Sequence, residues 1–333
     1  MQYKKIGVIG SGSWATAMIK MMTDNTAEKT ILWWVRKQED RDYILAYRHN
    51  PSYLSAVEIK LSRDQISTDA LSIIQKSDII ILNTPAAYLK AALRDVKPEH
   101  LRGKVIVSAI KGIVPDENLI VGEYLMKFFD VDLANIVVIG GPCHAEEVSL
   151  EKLSYLTLAS KEIENAQLIA EILQNRYIKT IISADVLGVE YGAVLKNIYA
   201  LAGGICHGLG FGDNFQAVLV SNAIREMETC LDVIDPQERE INASAYLGDL
   251  LVTAYSQFSR NRTFGNMIGK GYSVQSAQLE MNMVAEGYYA SACIQRVIQQ
   301  YQLDMPICEA VYEILYQHKS ALQTVKTLAD SLN

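Results

Sequence analysis

The sequence predicts an α/β protein in which a doubly wound, mostly parallel sheet is followed by an all-α C-terminal domain. Three features carry that reading. Short apolar runs rich in β-branched residues recur between longer amphipathic stretches through the first half of the chain. A glycine-rich turn, Gly10-Ser11-Gly12, joins the first of these runs to a helix-forming segment. Beyond about Asp185 the runs give way to apolar residues at helical spacing.

The apolar runs fall at residues 6–9, 31–35, 78–82, 105–108, 136–139, 155–158 and 178–182. Strands of a parallel sheet are buried on both faces, so they read as continuous apolar runs rather than alternating ones. From Leu195 through Ile198, Leu201, Ala202 and Ile205 the spacing turns helical, and residues 191–202 are expected to form the first long helix of the second domain. The division is placed near residue 188, giving a dinucleotide-binding domain of residues 1–188 and an all-helical substrate domain of residues 189–333.

The 333 residues, half of them hydrophobic, suffice for two domains with sizeable cores. A formal charge of −7 argues against a general nucleic-acid binder, so an anionic ligand has to be held by a local group of cations. Cys143, Cys206, Cys230, Cys293 and Cys308 are scattered, with no CxxC pair and no histidine at metal-ligand spacing. Neither a disulfide framework nor a metal site is expected, and the pattern suits a reducing compartment. The apolar run after Lys4-Lys5 breaks at Gly10, too early for a signal peptide, and no segment approaches the roughly 20 apolar residues of a membrane span. A cytoplasmic protein is expected.

Gly10-Ser11-Gly12-Ser13-Trp14-Ala15 follows the first strand and leads into the apolar residues 16–22, which places the GxGxxA fingerprint of a Rossmann-type domain in its strand-turn-helix setting. Gly10 permits the tight turn, Gly12 lets a pyrophosphate approach the backbone, and Ala15 lets the helix pack close on the strand. The helix N-terminus offers free N–H groups and the positive end of its dipole. A plain glycine-rich turn and a methyltransferase loop are the alternatives, and the flanking elements and spacing argue against both. The second strand ends at Arg36-Lys37 rather than at an acid that would accept from an adenosine ribose. A guanidinium there suits a 2′-phosphate and favours NADP over NAD, while stacking on adenine and a plain solvated charge stay open.

Seven further segments occur in order: Ser108-Ala109-Ile110-Lys111-Gly112, Gly140-Gly141-Pro142, Glu190-Tyr191-Gly192-Ala193-Val194-Leu195-Lys196-Asn197, the run from Gly203-Gly204 to Asp213-Asn214, Gly248-Asp249-Leu250-Leu251-Val252-Thr253, Ser259-Arg260-Asn261-Arg262 and Val284-Ala285-Glu286-Gly287. Together, over nearly the whole chain, they resemble the NAD(P)-dependent glycerol-3-phosphate dehydrogenase family of bacterial type. The resemblance implies reversible hydride transfer between NAD(P)H and dihydroxyacetone phosphate, giving sn-glycerol 3-phosphate for glycerophospholipid synthesis. It makes Lys196 the proton-transfer residue, Lys111 a contact to substrate and cofactor, and Asp249 the carboxylate that orients the lysine. It adds Gly141, Cys143, Asn197, Thr253, Ser259, Arg260 and Asn261 as substrate contacts. Cofactor contacts implied are Gly10, Gly12, Ser13, Trp14, Arg36, Lys111, Ala145, Arg260, Val284 and Glu286. No metal is implied. The sequence does not fix an oligomeric state; a homodimer is compatible with it.

Read apart from the resemblance, Lys196 lies among Ala193, Leu195, Ile198 and Ala202, where burial favours a neutral amine; a lysine snorkelling to the surface is the ordinary alternative. Lys111 follows the 105–108 strand, at the carboxyl end of a parallel sheet where ligands bind. Asp249 suits a helix cap after Gly248 as well as a site carboxylate. Ser259 suits a cap whose exposed N–H groups, with the Arg260 fork, make an anion site or simply an ordinary surface helix. The resemblance implies that most of the family carries Ser or Thr where this chain has Cys143, and a thiol is a poor donor, so a backbone contact is expected there; His144 is read as a non-catalytic neighbour. A 3-hydroxyacid dehydrogenase and a catalytically silent NADP sensor are the competing readings. Gly248-Asp249 with Ser259-Arg260-Asn261 favours a phosphate substrate, and the two lysines with Asp249 favour an enzyme.

Overall fold

The computed structural model describes residues 5–25, 30–281 and 285–333. Within them the chain forms two compact units, one from the stretches up to Ile110 and Leu119–Val189, the other from Lys111–Asn118 and from Glu190 onward.

The sheet of the first unit has eight strands: β1 (Lys5–Ile9), β2 (Thr30–Trp34), β3 (Ile66–Ser67), β4 (Ile79–Leu82), β5 (Val105–Ser108), β6 (Ile136–Gly140), β7 (Ser154–Ala159) and β8 (Ile178–Ser183). Their spatial order is 3-2-1-4-5-6-7-8. The first six are parallel, and the winding reverses between β1 and β4, which pair in register from Ile6↔Ile79 to Ile9↔Leu82. A doubly wound sheet binds its ligand at that switch point. The continuous apolar reading of β4 is explained by burial on both faces: Ile79, Ile80 and Ile81 are fully buried and Leu82 nearly so. Each such side chain contributes roughly 1.5–3 kcal/mol when removed from water.

Seven of the strands match the predicted runs to within a residue at either end. The eighth, β3, is only two residues long and joins the sheet through the pairings Trp33↔Ile66 and Trp34↔Ser67, too short to leave a pattern. β7 runs antiparallel to β6 although it is buried nearly as fully as the six parallel strands before it, and β8, largely half-buried or exposed, is parallel to β7. The Ser13–Asn25 helix lays Ala15, Ala17, Met18, Ile19, Met21 and Met22 onto the sheet.

In the second unit the dominant element is the helix Val186–Gly208, inside which the division between the units falls. It begins five residues before the expected 191 because Asp185 accepts from Gly188 N–H at 2.9 Å, satisfying one of the donors a helix start leaves free. Residues 188–206 are all buried, which explains an apolar stretch wider than one stripe, with Glu190, Lys196 and Asn197 as buried polar exceptions. Around this helix lie Asp213–Ile234, Asp249–Tyr255, Arg260–Gly269, Val274–Glu280, Glu286–Tyr301, Pro306–Tyr316 and Ala321–Ser331. Gln216 donates to Gly203 O at 2.8 Å. The buried Glu226 carboxylate accepts from Ile307 N–H at 2.8 Å and Cys308 N–H at 3.0 Å, closing the start of the Pro306–Tyr316 helix; burial outweighs those two donors and pushes its pKa up to about 7. Among the described residues no helix is long and apolar enough to cross a membrane.

A glycine seam joins Val186–Gly208 to Arg260–Gly269. A Cβ on Gly265 would stand 2.1 Å from Leu201 O, and one on Gly204 would stand 2.2 Å from Arg262 O; Gly208 and Gly269 are as tightly placed, so the two backbones touch. Overpacking a core typically costs about 1–3 kcal/mol. Gly265→Ala is therefore expected to lower the unfolding free energy by about that amount in urea titration, whereas Gly212→Ala, at a position with nothing within 4 Å of the added carbon, should change it little.

Candidate active site

The central helix carries Lys196 into the interior of the second unit, 5 % exposed, with the snorkelling alternative excluded by that burial. Its ammonium is held by the Asp249 carboxylate and donates to Thr253 Oγ1 at 3.0 Å. Thr253 Oγ1 in turn donates to Asp249 O at 2.6 Å, one turn back along Asp249–Tyr255. Asp249 itself is 1 % exposed and is reached on its other oxygen by Lys111 Nζ at 3.1 Å. The chain is already helical before Asp249, through the turn Ser244–Gly248, so this side chain caps nothing and is committed to the two lysines.

The electrostatics follow from burial. Desolvation lowers the Lys196 pKa most; the Asp249 charge opposes it, the Lys111 charge adds to it, and the amine settles at about 7. Burial opposes ionisation of Asp249, but the charges of Lys111 and Lys196 outweigh it and hold the carboxyl below the usual carboxylate range. An amine with a pKa of about 7 beside a carboxylate held below its usual range can give and take a proton at physiological pH.

A chain of amides aligns the elements around this group. Asn197 Nδ2 donates to Lys111 O at 2.8 Å, Asn261 Nδ2 donates to Asn197 Oδ1 at 2.9 Å, and Gly287 N–H donates to Asn261 Oδ1 at 2.9 Å. Four separate segments are thereby tied together. The helix Arg260–Gly269 is capped by Ser259, whose hydroxyl accepts from Arg262 N–H at 3.2 Å, while Arg260 in its first turn is exposed. Glu286 opens the helix Glu286–Tyr301. Thus Lys111, Lys196, Asn197, Asp249, Thr253 and Asn261 form one hydrogen-bonded group; Gly287 joins it through a backbone N–H that no side-chain motif signals.

The other predicted positions, apart from Val284, lie in the first unit. Gly10, at φ 142°, closes the turn between β1 and the Ser13–Asn25 helix, and a Cβ there would stand 2.2 Å from Asn83 O. Trp33 Nε1 donates to Gly10 O at 2.7 Å. Gly12 has open space where a Cβ would stand, so the turn leaves room at the helix N-terminus for a phosphate group, and Ser13 and Trp14 form the first turn beside it. These residues fit a dinucleotide. Arg36 is exposed just past β2. Gly141 is buried after β6; Cys143 packs half-buried against the core, and His144 precedes the short helix Ala145–Ser149. Val284 lies outside the described residues. Two residues passed over in the sequence, Asn83 and Thr84, follow β4 against the glycine turn; their place at the carboxyl end of the strand beside β1 is the signal that finds them.

A glycine turn leaving the first strand of a 3-2-1-4-5-6 sheet, with a buried amine of lowered pKa in a separate helical unit, is the arrangement of a nicotinamide-dependent oxidoreductase. The family descriptions of the N-terminus and C-terminus of NAD-dependent glycerol-3-phosphate dehydrogenase match residues 5–166 and 185–326. The chain belongs to that family. It is 34% identical over 331 residues to a glycerol-3-phosphate dehydrogenase [NAD(P)+] of Bacillus velezensis, covering 99% of this chain and 94% of the relative. A protein of the same description from Enterococcus faecalis is 32% identical, with 98% and 95% covered. The crystal structure of a glycerol-3-phosphate dehydrogenase from Coxiella burnetii superposes with a TM-score of 0.90 at 25% identity, covering 98% of this chain and 99% of that one.

The depressed Lys196 pKa has a measurable sign. Between about 7 and the usual lysine value near 10.4 the unfolded chain binds more protons than the folded one, so this group makes stability rise with pH across that window and adds no slope below it. Asp249→Asn removes the attraction that holds the proton and should carry the onset of the slope below pH 7. Urea unfolding is expected to give a deficit of about 3 kcal/mol or more at pH 5.5 that shrinks by pH 8.5, whereas a deficit independent of pH would show that the carboxylate does not govern the amine.

Proposed function

We propose that this chain interconverts dihydroxyacetone phosphate and sn-glycerol 3-phosphate with NAD(P)H as hydride donor, as its relatives' names describe. The observation that carries the reading is the buried Lys196–Asp249–Lys111 group, which supplies a near-neutral acid beside a second cation. Residues 1–188 supply most of the dinucleotide contacts, through Gly10, Gly12, Ser13, Trp14, Arg36 and Ala145, and residues 189–333 with Lys111 supply most of the substrate contacts. The bound nicotinamide supplies or accepts the hydride. Lys196 donates a proton to the ketone oxygen in reduction and recovers it in oxidation, and its pKa of about 7 serves both directions. Lys111 stabilises negative charge on that oxygen as it develops. Asp249 and Thr253 hold the amine in place. Ser259, Arg260 and Asn261, at the start of the Arg260–Gly269 helix, take the phosphate through N–H groups and the guanidinium fork. Gly141 and Cys143 contact substrate through backbone, and Val284 and Glu286 complete the cofactor contacts. Exposed Arg36 favours NADP by meeting its 2′-phosphate. The reading extends to a cytoplasmic protein that supplies glycerol phosphate to glycerophospholipid synthesis, with which a homodimer is compatible.

Two measurements test this. In steady-state reduction of dihydroxyacetone phosphate, Lys196→Ala should depress kcat with NADPH affinity kept, while Arg260→Ala should raise KM for the phosphate substrate roughly ten- to a hundredfold, the worth of a charge-assisted contact. Unchanged KM in the second variant and full activity in the first would overturn the assignment. For the cofactor, Arg36→Asp is expected to weaken NADPH strongly and NADH little, because a carboxylate repels the 2′-phosphate yet accepts from ribose hydroxyls; equal losses measured by titration would leave Arg36 without a discriminating role.

A further inference from the structure

The glycine turn of the first unit has two walls of different character. On one side stands Asn50, which is saturated: Nδ2 donates to Ser11 O at 3.1 Å and Thr16 Oγ1 at 2.9 Å, and Oδ1 accepts from Ser52 N–H at 3.0 Å and Tyr53 N–H at 3.1 Å. An amide has two N–H donors and two acceptor lone pairs, so none of its capacity is left over: the donors hold the turn and the acceptor holds the loop after Asn50. On the other side stand Asn83 and Thr84, pinned beside Gly10 by the bond from Asn83 N–H to Ile9 O at 2.8 Å. A Cβ on Gly10 would lie 2.2 Å from Asn83 O and 3.2 Å from Thr84 N. Both side chains are more than nine-tenths buried, yet Asn83 Nδ2 and Thr84 Oγ1 have no hydrogen-bond partner, and neither has Trp14 Nε1 in the first turn of the adjoining helix. Buried polar groups are nearly always partnered; of the few unpartnered ones among the described residues, three fall on the residues that flank this turn.

We propose that Asn83 and Thr84 are dinucleotide-binding residues, the Asn83 amide donating to a phosphate oxygen of the cofactor and the Thr84 hydroxyl bonding a ribose hydroxyl. The inference rests on reading Gly10-Ser11-Gly12 as the cofactor turn. Pyrophosphate oxygens only accept, which suits an amide donor; a ribose hydroxyl donates and accepts, which suits a threonine. Such side chains are poorly satisfied in the free protein and become satisfied on binding, so their replacement by apolar groups of like shape weakens the ligand without weakening the fold.

Titration calorimetry of the full chain with NADPH, alongside thermal melting of the same samples without NADPH, tests this. Asn83→Leu and Thr84→Val are each expected to raise Kd about tenfold and to leave the ligand-free Tm unchanged or higher. Thr84→Ser, which keeps the hydroxyl, should bind as the unaltered protein does. Asn83→Asp, which keeps the shape and sets a carboxylate against phosphate, should weaken NADPH by more than tenfold even if the leucine variant folds poorly. Unchanged Kd in Asn83→Asp and Thr84→Val overturns the inference, as does a lower ligand-free Tm with Kd preserved, which would mean that the two side chains serve the fold. Gly12→Val separates the two readings: binding abolished there but intact in the Asn83 and Thr84 variants overturns this inference alone, whereas an unaltered protein that binds neither NADPH nor NADH overturns the cofactor turn and this inference with it.

Discussion

The Asp249 carboxylate is buried almost completely, and burying a carboxylate costs several kcal/mol unless opposite charge comes with it. Two ammonium groups meet that requirement from two directions, Lys196 from the middle of the long helix and Lys111 from the segment after β5. Burial and the neighbouring Lys111 bring the pKa of the Lys196 amine down to about 7 in spite of the carboxylate beside it. The rest of the second unit can be understood as the means of keeping these three side chains in register. The amide chain Lys111 O, Asn197, Asn261, Gly287 N–H runs in one direction only, since each amide donates through nitrogen and accepts through oxygen, and it leaves no alternative arrangement of equal energy. The glycine seam sets the distance between the helices that carry Lys196 and Arg260 at backbone contact, with no side chain free to change rotamer between them.

The first unit solves a different problem. A dinucleotide presents charge that must be met by backbone, and a backbone can offer its N–H groups only where side chains are absent. Gly10 meets this by packing against the carbonyl of Asn83, which anchors the turn to β4, while Gly12 keeps its outer side clear. The strand order supplies the location, since the winding reverses between β1 and β4 and leaves their carboxyl ends uncovered by a crossover helix.

Much of this was legible in the chain. Strands buried on both faces announce themselves as unbroken apolar runs, which is why β1, β2 and β4 through β6 stood out at Ile6, Ile31, Ile79, Val105 and Ile136; β7 and β8, the latter with Ile181 exposed, stood out at Leu156 and Ile178 by apolar content alone. β3 did not, because two residues carry no periodicity, and the reversal of β7 did not, because burial is indifferent to strand direction. The amine at Lys196 was legible from its apolar neighbours. The commitment of Asp249 to two lysines was not legible from spacing, since a carboxylate after Gly248 reads equally well as a cap. The seam between Gly204 and Gly265 was hidden for a related reason: the two glycines mean nothing until the helices that carry them are seen to cross. Asn83 and Thr84 were hidden because a polar pair after an apolar run looks like any loop.

The second unit is discontinuous in the chain, and this bears on how the molecule comes to be made. Lys111 is separated from Asp249 by 138 positions, and Lys196 from Asp249 by 53. During synthesis the segment 111–118 leaves the ribosome long before the helix it pairs with exists, and the strands β6 to β8 are completed in between. Contacts of such long range form late, since the loop entropy must be met before the contact rewards it. The Lys111–Asp249–Lys196 group therefore cannot assemble until translation has passed residue 249, well after the strands of the sheet have been made.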